Sequence, residues 1–215
     1  MHSKYKNLYK INNKIEKKEF IIPKFFVISK NDFTNHKKIL FKIKNILSNK
    51  KIILRSSGYN EDLVENSNAG KYDSIVIKKF DEQKILDGIK CISKKLTHKR
   101  DKIIIQELIL KPKISGVIFS HDINNGSPYY IINFDKSGKT NLVTSGQKNL
   151  SMQTIVVYRE YTGKDIFQKL IKLVKKFETI FKATILDVEF AIKNNKIYNF
   201  QCRNLKKIKN TQNKS

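Results

Sequence analysis

The alternation of apolar and polar residues along the chain predicts a mixed α+β protein. Apolar residues at helical spacing indicate three helices, one that Thr34 caps at its start, one over residues 81–96 and one over 165–181. Short apolar or alternating runs indicate strands at 25–28, 51–54, 102–110, 116–120, 129–134 and 154–158. A short helix or turn is expected over residues 3–10, and a polar, disordered tail over 206–215.

The strongest local pattern lies near the C-terminus and predicts a β-hairpin. Two runs rich in β-branched and aromatic residues flank an Asn-Asn pair. Because side chains alternate along a strand, Asp187 and Glu189 share one face, as do Gln201 and Arg203 on the partner strand. The remaining apolar residues of the hairpin are expected to face a core, namely Leu186, Val188, Phe190, Phe200 and Cys202.

The polar face of this hairpin has the chemistry of a site for metal and phosphate. Carboxylate and amide oxygens suit Mg²⁺, and a guanidinium suits the phosphates of a nucleotide. All four side chains share a face only if Glu189 lies opposite Gln201, which places Asp187 opposite Arg203. A two-residue turn would instead set Glu189 against Phe200, so the pattern predicts an odd-length loop or a bulge near residues 194–196. The alternative is an ordinary surface hairpin with its polar residues outward.

Two further places carry polar residues where core elements are expected. Residues 55–74, RSSGYNEDLVENSNAGKYDS, are rich in Ser, Gly, Asn and Asp, although they lie between apolar elements. Backbone amides and hydroxyls in such a loop can bind phosphate oxygens, and Gly70 permits close approach of the backbone to a ligand. A solvated surface loop is the alternative interpretation. Gln106 and Glu107 interrupt an apolar strand and are candidates for ligand contact.

Composition limits the class of protein. The 215 residues include 44 Lys and Arg against 19 Asp and Glu, for a formal net charge of +25. Only four of the basic residues are arginines, and the lysines are scattered through nearly every segment, so nucleic-acid binding is disfavoured as the main role. We expect no membrane segment, because no apolar run approaches about 20 residues. The two cysteines and the lack of an apolar leader predict a cytoplasmic protein.

Five motifs occur in one order along residues 3–205. They are Ser3-Lys4-Tyr5-Lys6-Asn7-Leu8; Ile22-Pro23-Lys24-Phe25-Phe26-Val27; Arg55-Ser56-Ser57 with Glu61-Asp62 and Ala69-Gly70; Ile105-Gln106-Glu107-Leu108 with Ser115-Gly116-Val117-Ile118-Phe119; and Asp187, Glu189, Phe190, Gln201 and Arg203. Together they resemble the nucleotide-binding domain of the phosphoenolpyruvate synthase and pyruvate phosphate dikinase family. Members from surface-polysaccharide gene clusters, such as a glutamine kinase, are most similar. The resemblance implies an ATP-grasp fold of two subdomains, residues 1–105 and 106–205, with mainly antiparallel sheets flanked by helices.

The same resemblance implies residues that bind ATP. Those implied for the polyphosphate are Lys4, Arg55, Gly70, Ser74 and Arg203. Those implied for the adenine are the side chain of Gln106 and the backbone of Glu107 and Leu108.

The resemblance also implies residues for the metal and for phosphoryl transfer. Glu189 and Gln201 would ligate Mg²⁺, with Asp187 beside them as a further ligand or a base. Arg203, together with Arg55, would neutralise the charge that develops on the transferred phosphoryl group. These roles fit phosphoryl transfer in general, which depends mainly on positioning and on charge neutralisation by metal ions and cations.

The implied function is that of a Mg·ATP-binding kinase domain. The family's phosphohistidine and pyruvate-binding domains have no counterpart after Arg203, so the phosphoryl acceptor is expected to be a His or a substrate on a separate domain or chain. Two alternatives stay open at this point. One is a catalytically incomplete fragment that binds nucleotide, and the other is a basic nucleic-acid-binding protein.

Overall fold

A computed structural model describes residues 4–15, 20–48, 50–59, 74–138, 151–182 and 185–205. The helices are α1 (Lys4–Lys14), α2 (His36–Leu47), α3 (Glu82–Lys95) and α4 (Ile166–Phe181). The strands are β1 (Phe25–Ser29), β2 (Ile52–Ser57), β3 (Ser74–Ile77), β4 (Lys102–Glu107), β5 (Ile114–Phe119), β6 (Tyr130–Asp135), β7 (Gln153–Val157), β8 (Leu186–Lys193) and β9 (Lys196–Asn204). Within these ranges, no helix has the length and apolar character needed to cross a membrane.

The chain divides into two compact units. One contains Met1–Lys6 and Pro23–Leu110, and the other contains Asn7–Ile22 and Lys111–Ser215. Each unit is built around one antiparallel sheet and has its own apolar core. The predicted α+β class is therefore confirmed.

The first unit contains a four-stranded sheet in the order β1-β4-β2-β3. Apolar residues of α2 and α3 form one core cluster with the sheet. Ile43 of α2, Ile89 of α3 and Leu54 of β2 belong to it. The predicted helices are present, but Thr34 is not the cap of α2. The side chain of Asn35 accepts a hydrogen bond from the Lys38 amide at 3.2 Å, because an N-cap side chain must reach the third helical residue.

The strand β2 is longer than the sequence predicts. Residues 51–54 were expected to form it, with Arg55 opening a loop, whereas Arg55–Ser57 continue the ladder opposite Ile103 and its neighbours in β4. All three are buried. Propensity favours a turn at Ser-Ser-Gly, but pairing with the central strand β4 overrides it.

The second unit contains a five-stranded sheet in the order β7-β6-β5-β8-β9. The helix α4 packs on this sheet in one core cluster. Phe177 of α4 and Val188 and Phe190 of β8 belong to it. The connection between β5 and β6 contains Gly126, whose positive φ of 75° is a backbone conformation that glycine adopts readily.

The hairpin β8–β9 turns through two residues, Asn194 and Asn195. Both have left-handed backbone conformations, with φ of 51° and 56°, which a tight two-residue hairpin turn demands. The register then shifts farther along the hairpin, since Phe190 lies opposite Asn199 while Glu189 lies opposite Gln201. Phe200 is therefore the extra residue of a β-bulge. The sequence predicts an odd-length loop or a bulge near residues 194–196, but the bulge lies at Phe200.

Candidate functional site

Four polar side chains converge on one face of the β8–β9 hairpin. Glu189 lies opposite Gln201, and Asp187 lies opposite Arg203, which is the register that the sequence pattern required. Glu189, Gln201 and Asp187 are buried although they are polar, with 7%, 2% and 4% of their surfaces exposed. Buried polar side chains are costly unless they are partnered, so such a group marks a place with a specific role.

The charged pair of this face has a defined geometry. The Nε atom of Arg203 donates to Oδ2 of Asp187 at 3.0 Å, and Nη2 donates to the same oxygen at 2.5 Å. The Asp187 side chain is 5% exposed and that of Arg203 is 37% exposed. The carboxylate therefore anchors the inner edge of a guanidinium that reaches toward solvent.

The neighbouring strand β5 gives the face an apolar side. Val117 lies next to Glu189, and Phe119 lies next to Asp187. Neither residue is among the site residues that the sequence predicts, although their alternation with the core residues of β5 places them on the same face. Apolar neighbours lower the local dielectric and strengthen the electrostatic interactions of the carboxylates.

The core side of the hairpin differs from the prediction at one position. Leu186, Val188, Phe190 and Cys202 are buried as expected. Phe200 was expected with them, but it is only partly buried, because it is the inserted residue of the bulge. Asn199 takes the core-facing position instead and is fully buried.

The candidate adenine residues lie on β4 and just after it. Gln106 is 0% exposed, and both polar atoms of its amide lie without a hydrogen-bond partner within the ranges that the structure describes. The backbone amides of Glu107 and Leu108 donate to the carbonyls of Lys24 and Lys51, each at 2.8 Å. Any adenine contact made by the backbone of these two residues therefore falls to their carbonyl oxygens.

The candidate polyphosphate residues are placed as follows. Arg55 lies in β2 and is buried, and Ser74, the exposed first residue of β3, lies opposite it. Lys4 is the first residue of α1. Gly70 falls outside the described residues. In the part of the chain that is described, no group of three or more His, Cys, Asp or Glu side chains is arranged to hold a metal.

A second polar cluster, which sequence analysis did not assign, lies in the second unit. Arg159 donates to the Tyr130 hydroxyl at 2.7 Å and pairs with the Glu178 carboxylate at 2.6 Å. Burial raises the pKa of Glu178 and raises the pKa of Tyr130 to about 12. The cluster joins β6, α4 and the segment after β7. Its only sequence signal is the rarity of arginine, which singles out positions that need a planar, forked cation.

Comparison with known proteins defines the fold. No protein-family model matches the sequence, and no curated protein matches it significantly. A D-alanine–D-alanine ligase from Bacillus anthracis, complexed with ATP, matches with a TM-score of 0.53 and 12% identity over 95% of this chain and 56% of that chain. The D-alanine–D-alanine ligase from Helicobacter pylori matches with a TM-score of 0.56 and 13% identity over 96% and 54%.

A third similar structure, the VanG D-Ala:D-Ser ligase from Enterococcus faecalis, has a TM-score of 0.53 and 10% identity over 95% of this chain and 52% of that chain. The chain thus spans slightly more than half the length of these structures. At such low identity the likeness concerns the fold alone. The chain has an ATP-grasp fold.

Proposed function

We propose that the chain is a Mg·ATP-binding phosphotransferase domain similar to that of phosphoenolpyruvate synthase. The observation that carries the proposal is the arrangement of Glu189 opposite Gln201 and Asp187 opposite Arg203 on one buried face of β8–β9. The ATP-grasp fold supports nucleotide binding, and one structure of similar fold is complexed with ATP. The order of the five motifs along the sequence supports the assignment to the phosphoenolpyruvate synthase type.

The donor atoms on this face fit Mg²⁺. Glu189 offers carboxylate oxygens and Gln201 offers an amide oxygen, and both side chains are held on adjacent strands. Magnesium prefers such oxygen ligands and usually takes only a few from the protein, with phosphate oxygens and water completing its shell. The ion, when bound, would neutralise phosphate charge.

Asp187 and Arg203 serve as a unit in this proposal. The two hydrogen bonds to Oδ2 favour a role for Asp187 in orienting the guanidinium, beside the ligand and base roles that the resemblance implies. Arg203 then presents its forked N–H groups to phosphoryl oxygens and stabilises charge on the group in transfer. An oriented guanidinium loses little freedom when it binds, so more of its interaction energy stabilises the transferred group.

The family resemblance supplies the remaining contacts in this proposal. Arg55, together with Lys4, Ser74 and Gly70, is assigned to the polyphosphate. The buried amide of Gln106, with polar atoms that have no partner among the described residues, is assigned to the adenine. Buried polar atoms are usually satisfied, and a purine edge offers both a donor and an acceptor.

The proposed acceptor is a His or a small substrate carried by a separate domain or protein. Under this proposal the chain binds nucleotide by itself and turns ATP over only when that acceptor is supplied. A cytoplasmic location, where ATP and Mg²⁺ are abundant, is part of this proposal.

Calorimetry with ATP tests the proposal. We expect saturable binding that requires Mg²⁺ and that Glu189→Gln weakens by about tenfold or more, because the neutral amide is a poorer ligand for Mg²⁺. Glu160→Gln is the matched control, since Glu160 is an exposed residue in the segment after β7. This variant should bind ATP with the affinity of the wild type. Absence of ATP binding in the wild type would refute the proposal.

Two results would favour the alternatives. Stoichiometric ATP binding with no transfer, even when a phosphohistidine domain or glutamine is supplied, would identify a catalytically incomplete fragment. Tight, strongly salt-dependent binding of nucleic acid that survives Glu189→Gln and Arg203→Ala would identify a nucleic-acid-binding protein.

A further inference from the structure

The polar face of the β8–β9 hairpin depends on one inserted residue. The turn at Asn194 and Asn195 fixes a register in which regular pairing would place Glu189 opposite Phe200. Gln201 and Arg203 would then point to the core side, away from the carboxylates. The bulge at Phe200 shifts the register by one residue and restores both polar pairs.

Asn199 lies beside this bulge and is bonded to both strands. It is 0% exposed, and its Nδ2 atom donates to the Glu189 carbonyl at 3.2 Å and to the Gln201 carbonyl at 3.1 Å. The two acceptors are carbonyl oxygens, so the side-chain group facing them must be the NH₂ of the amide. A single buried side chain thereby links the backbone of β8 to the backbone of β9 on the far side of the insertion.

We infer that Asn199 is a positioning residue that holds the bulge and thereby keeps Gln201 and Arg203 on the same face as Glu189 and Asp187. Its importance for nucleotide binding rests on the function proposed above, whereas its control of the hairpin does not. Leucine has nearly the same shape but donates no hydrogen bond. Without the two bonds, the part of β9 after Phe200 is expected to detach or to slip by one residue.

The alkylation rate of the Cys202 thiol can report either change. Cys202 is fully buried on the core side of β9, so a reagent in solution should reach its thiol only slowly in the intact hairpin. A slip of one residue would turn Cys202 to the face of Asp187, and detachment would expose it to solvent. Cys91 is exposed and should react in every variant.

The experiment measures how fast each thiol of the folded protein is alkylated by a maleimide, followed by mass spectrometry of the cysteine-containing peptides. We expect Cys202 to react about tenfold or more faster in Asn199→Leu than in the wild type, because two buried hydrogen bonds are lost. Cys91 should react at an unchanged rate. Calorimetry of the same proteins should show ATP affinity reduced by about tenfold or more in the variant.

Deletion of Phe200 in the Asn199→Leu protein is the decisive second variant. The deletion removes the inserted residue, so a regular ladder now pairs Glu189 with Gln201, and leucine packs on the core side. Slow alkylation of Cys202 and wild-type ATP affinity should return. Asn7→Leu is the matched control, since Asn7 also donates from a buried Nδ2 to a carbonyl of β9, that of Cys202, at 2.8 Å. The same deletion should not restore slow alkylation in that background.

The inference is overturned if Asn199→Leu leaves the Cys202 rate unchanged, or if the deletion rescues neither variant or rescues both. If Asn199→Leu does not fold, the variant that also lacks Phe200 must fold with a protected Cys202, and its failure to do so overturns the inference. If the wild type binds no ATP, the proposed function fails, while the alkylation rates still decide the role of Asn199.

Discussion

Arg203 and Asp187 face each other across the last two strands, and two nitrogen atoms of the guanidinium donate to one carboxylate oxygen. The carboxylate is the buried partner and the guanidinium the more exposed one. This asymmetry means that the two residues are not equivalent for stability. The carboxylate needs the arginine to compensate its charge, whereas the arginine retains water on its outer side.

Arg203→Leu is therefore expected to destabilise the protein by about 1–3 kcal/mol, since it leaves the Asp187 carboxylate buried without its cation. Urea-induced unfolding followed by circular dichroism measures the change. The double variant Asp187→Asn/Arg203→Leu should recover part of the loss, because the amide at position 187 carries no charge for the missing arginine to compensate. Equal instability of the single and double variants would contradict this account.

Gln106→Leu is expected to have opposite effects on stability and on binding. The amide atoms of Gln106 are buried without a partner within the described ranges, so their removal should raise the free energy of unfolding of the ligand-free protein by about 1 kcal/mol. ATP affinity should fall, because the proposed adenine contact is lost. Thermal unfolding with and without Mg·ATP measures both quantities. A variant that is less stable and binds ATP normally would show that Gln106 is structural.

Gly116→Ala is expected to disrupt the pairing of β5 and β6. A Cβ atom at this position would lie closer to the Asn133 carbonyl oxygen than any non-bonded contact allows, and would meet Phe134 at 2.9 Å. We expect a loss of about 2 kcal/mol or more, because the backbone of a central strand must move. Gly126→Asn is the control, since the space around Gly126 is open and asparagine tolerates its positive φ. Equal stability of Gly116→Ala and wild type would refute this steric argument.

Asp32 is expected to make stability depend on pH in the acidic range. Hydrogen bonds from Ser29, above all from its hydroxyl, and from Lys38 hold the pKa of Asp32 well below its usual range. A lowered pKa in the folded state stabilises the protein above the unfolded pKa, and that contribution is lost as the pH falls through the folded pKa.

Asp32→Asn should therefore cost about 1 kcal/mol near neutral pH, as loss of a capping interaction does, and the difference from wild type should shrink below about pH 4. Urea unfolding of both proteins at several pH values measures it. A difference that stays constant down to strongly acidic pH would show that the charge of Asp32 does not contribute.

Much of the fold followed from local patterns. Helical spacing located α2, α3 and α4 to within a few residues, and alternation located most strands, because both periodicities reflect which side of an element is buried. The alternation of side chains along β8 also predicted that Asp187 and Glu189 lie on the same face of the strand. The prediction failed where a short polar motif joined a long-range ladder, as Arg55–Ser57 do in β2.

The sequence by itself determined that this chain forms an α+β protein and that its last two strands present carboxylates, an amide and an arginine with the spacing needed for one face. Only the tertiary structure decided where the extra residue of the hairpin is absorbed and that Asn199 bonds to both strands there. Periodicity is a property of neighbouring residues. The position of a bulge and the partner of a buried amide depend on which backbone groups meet across strands, and that is settled only when the sheet forms.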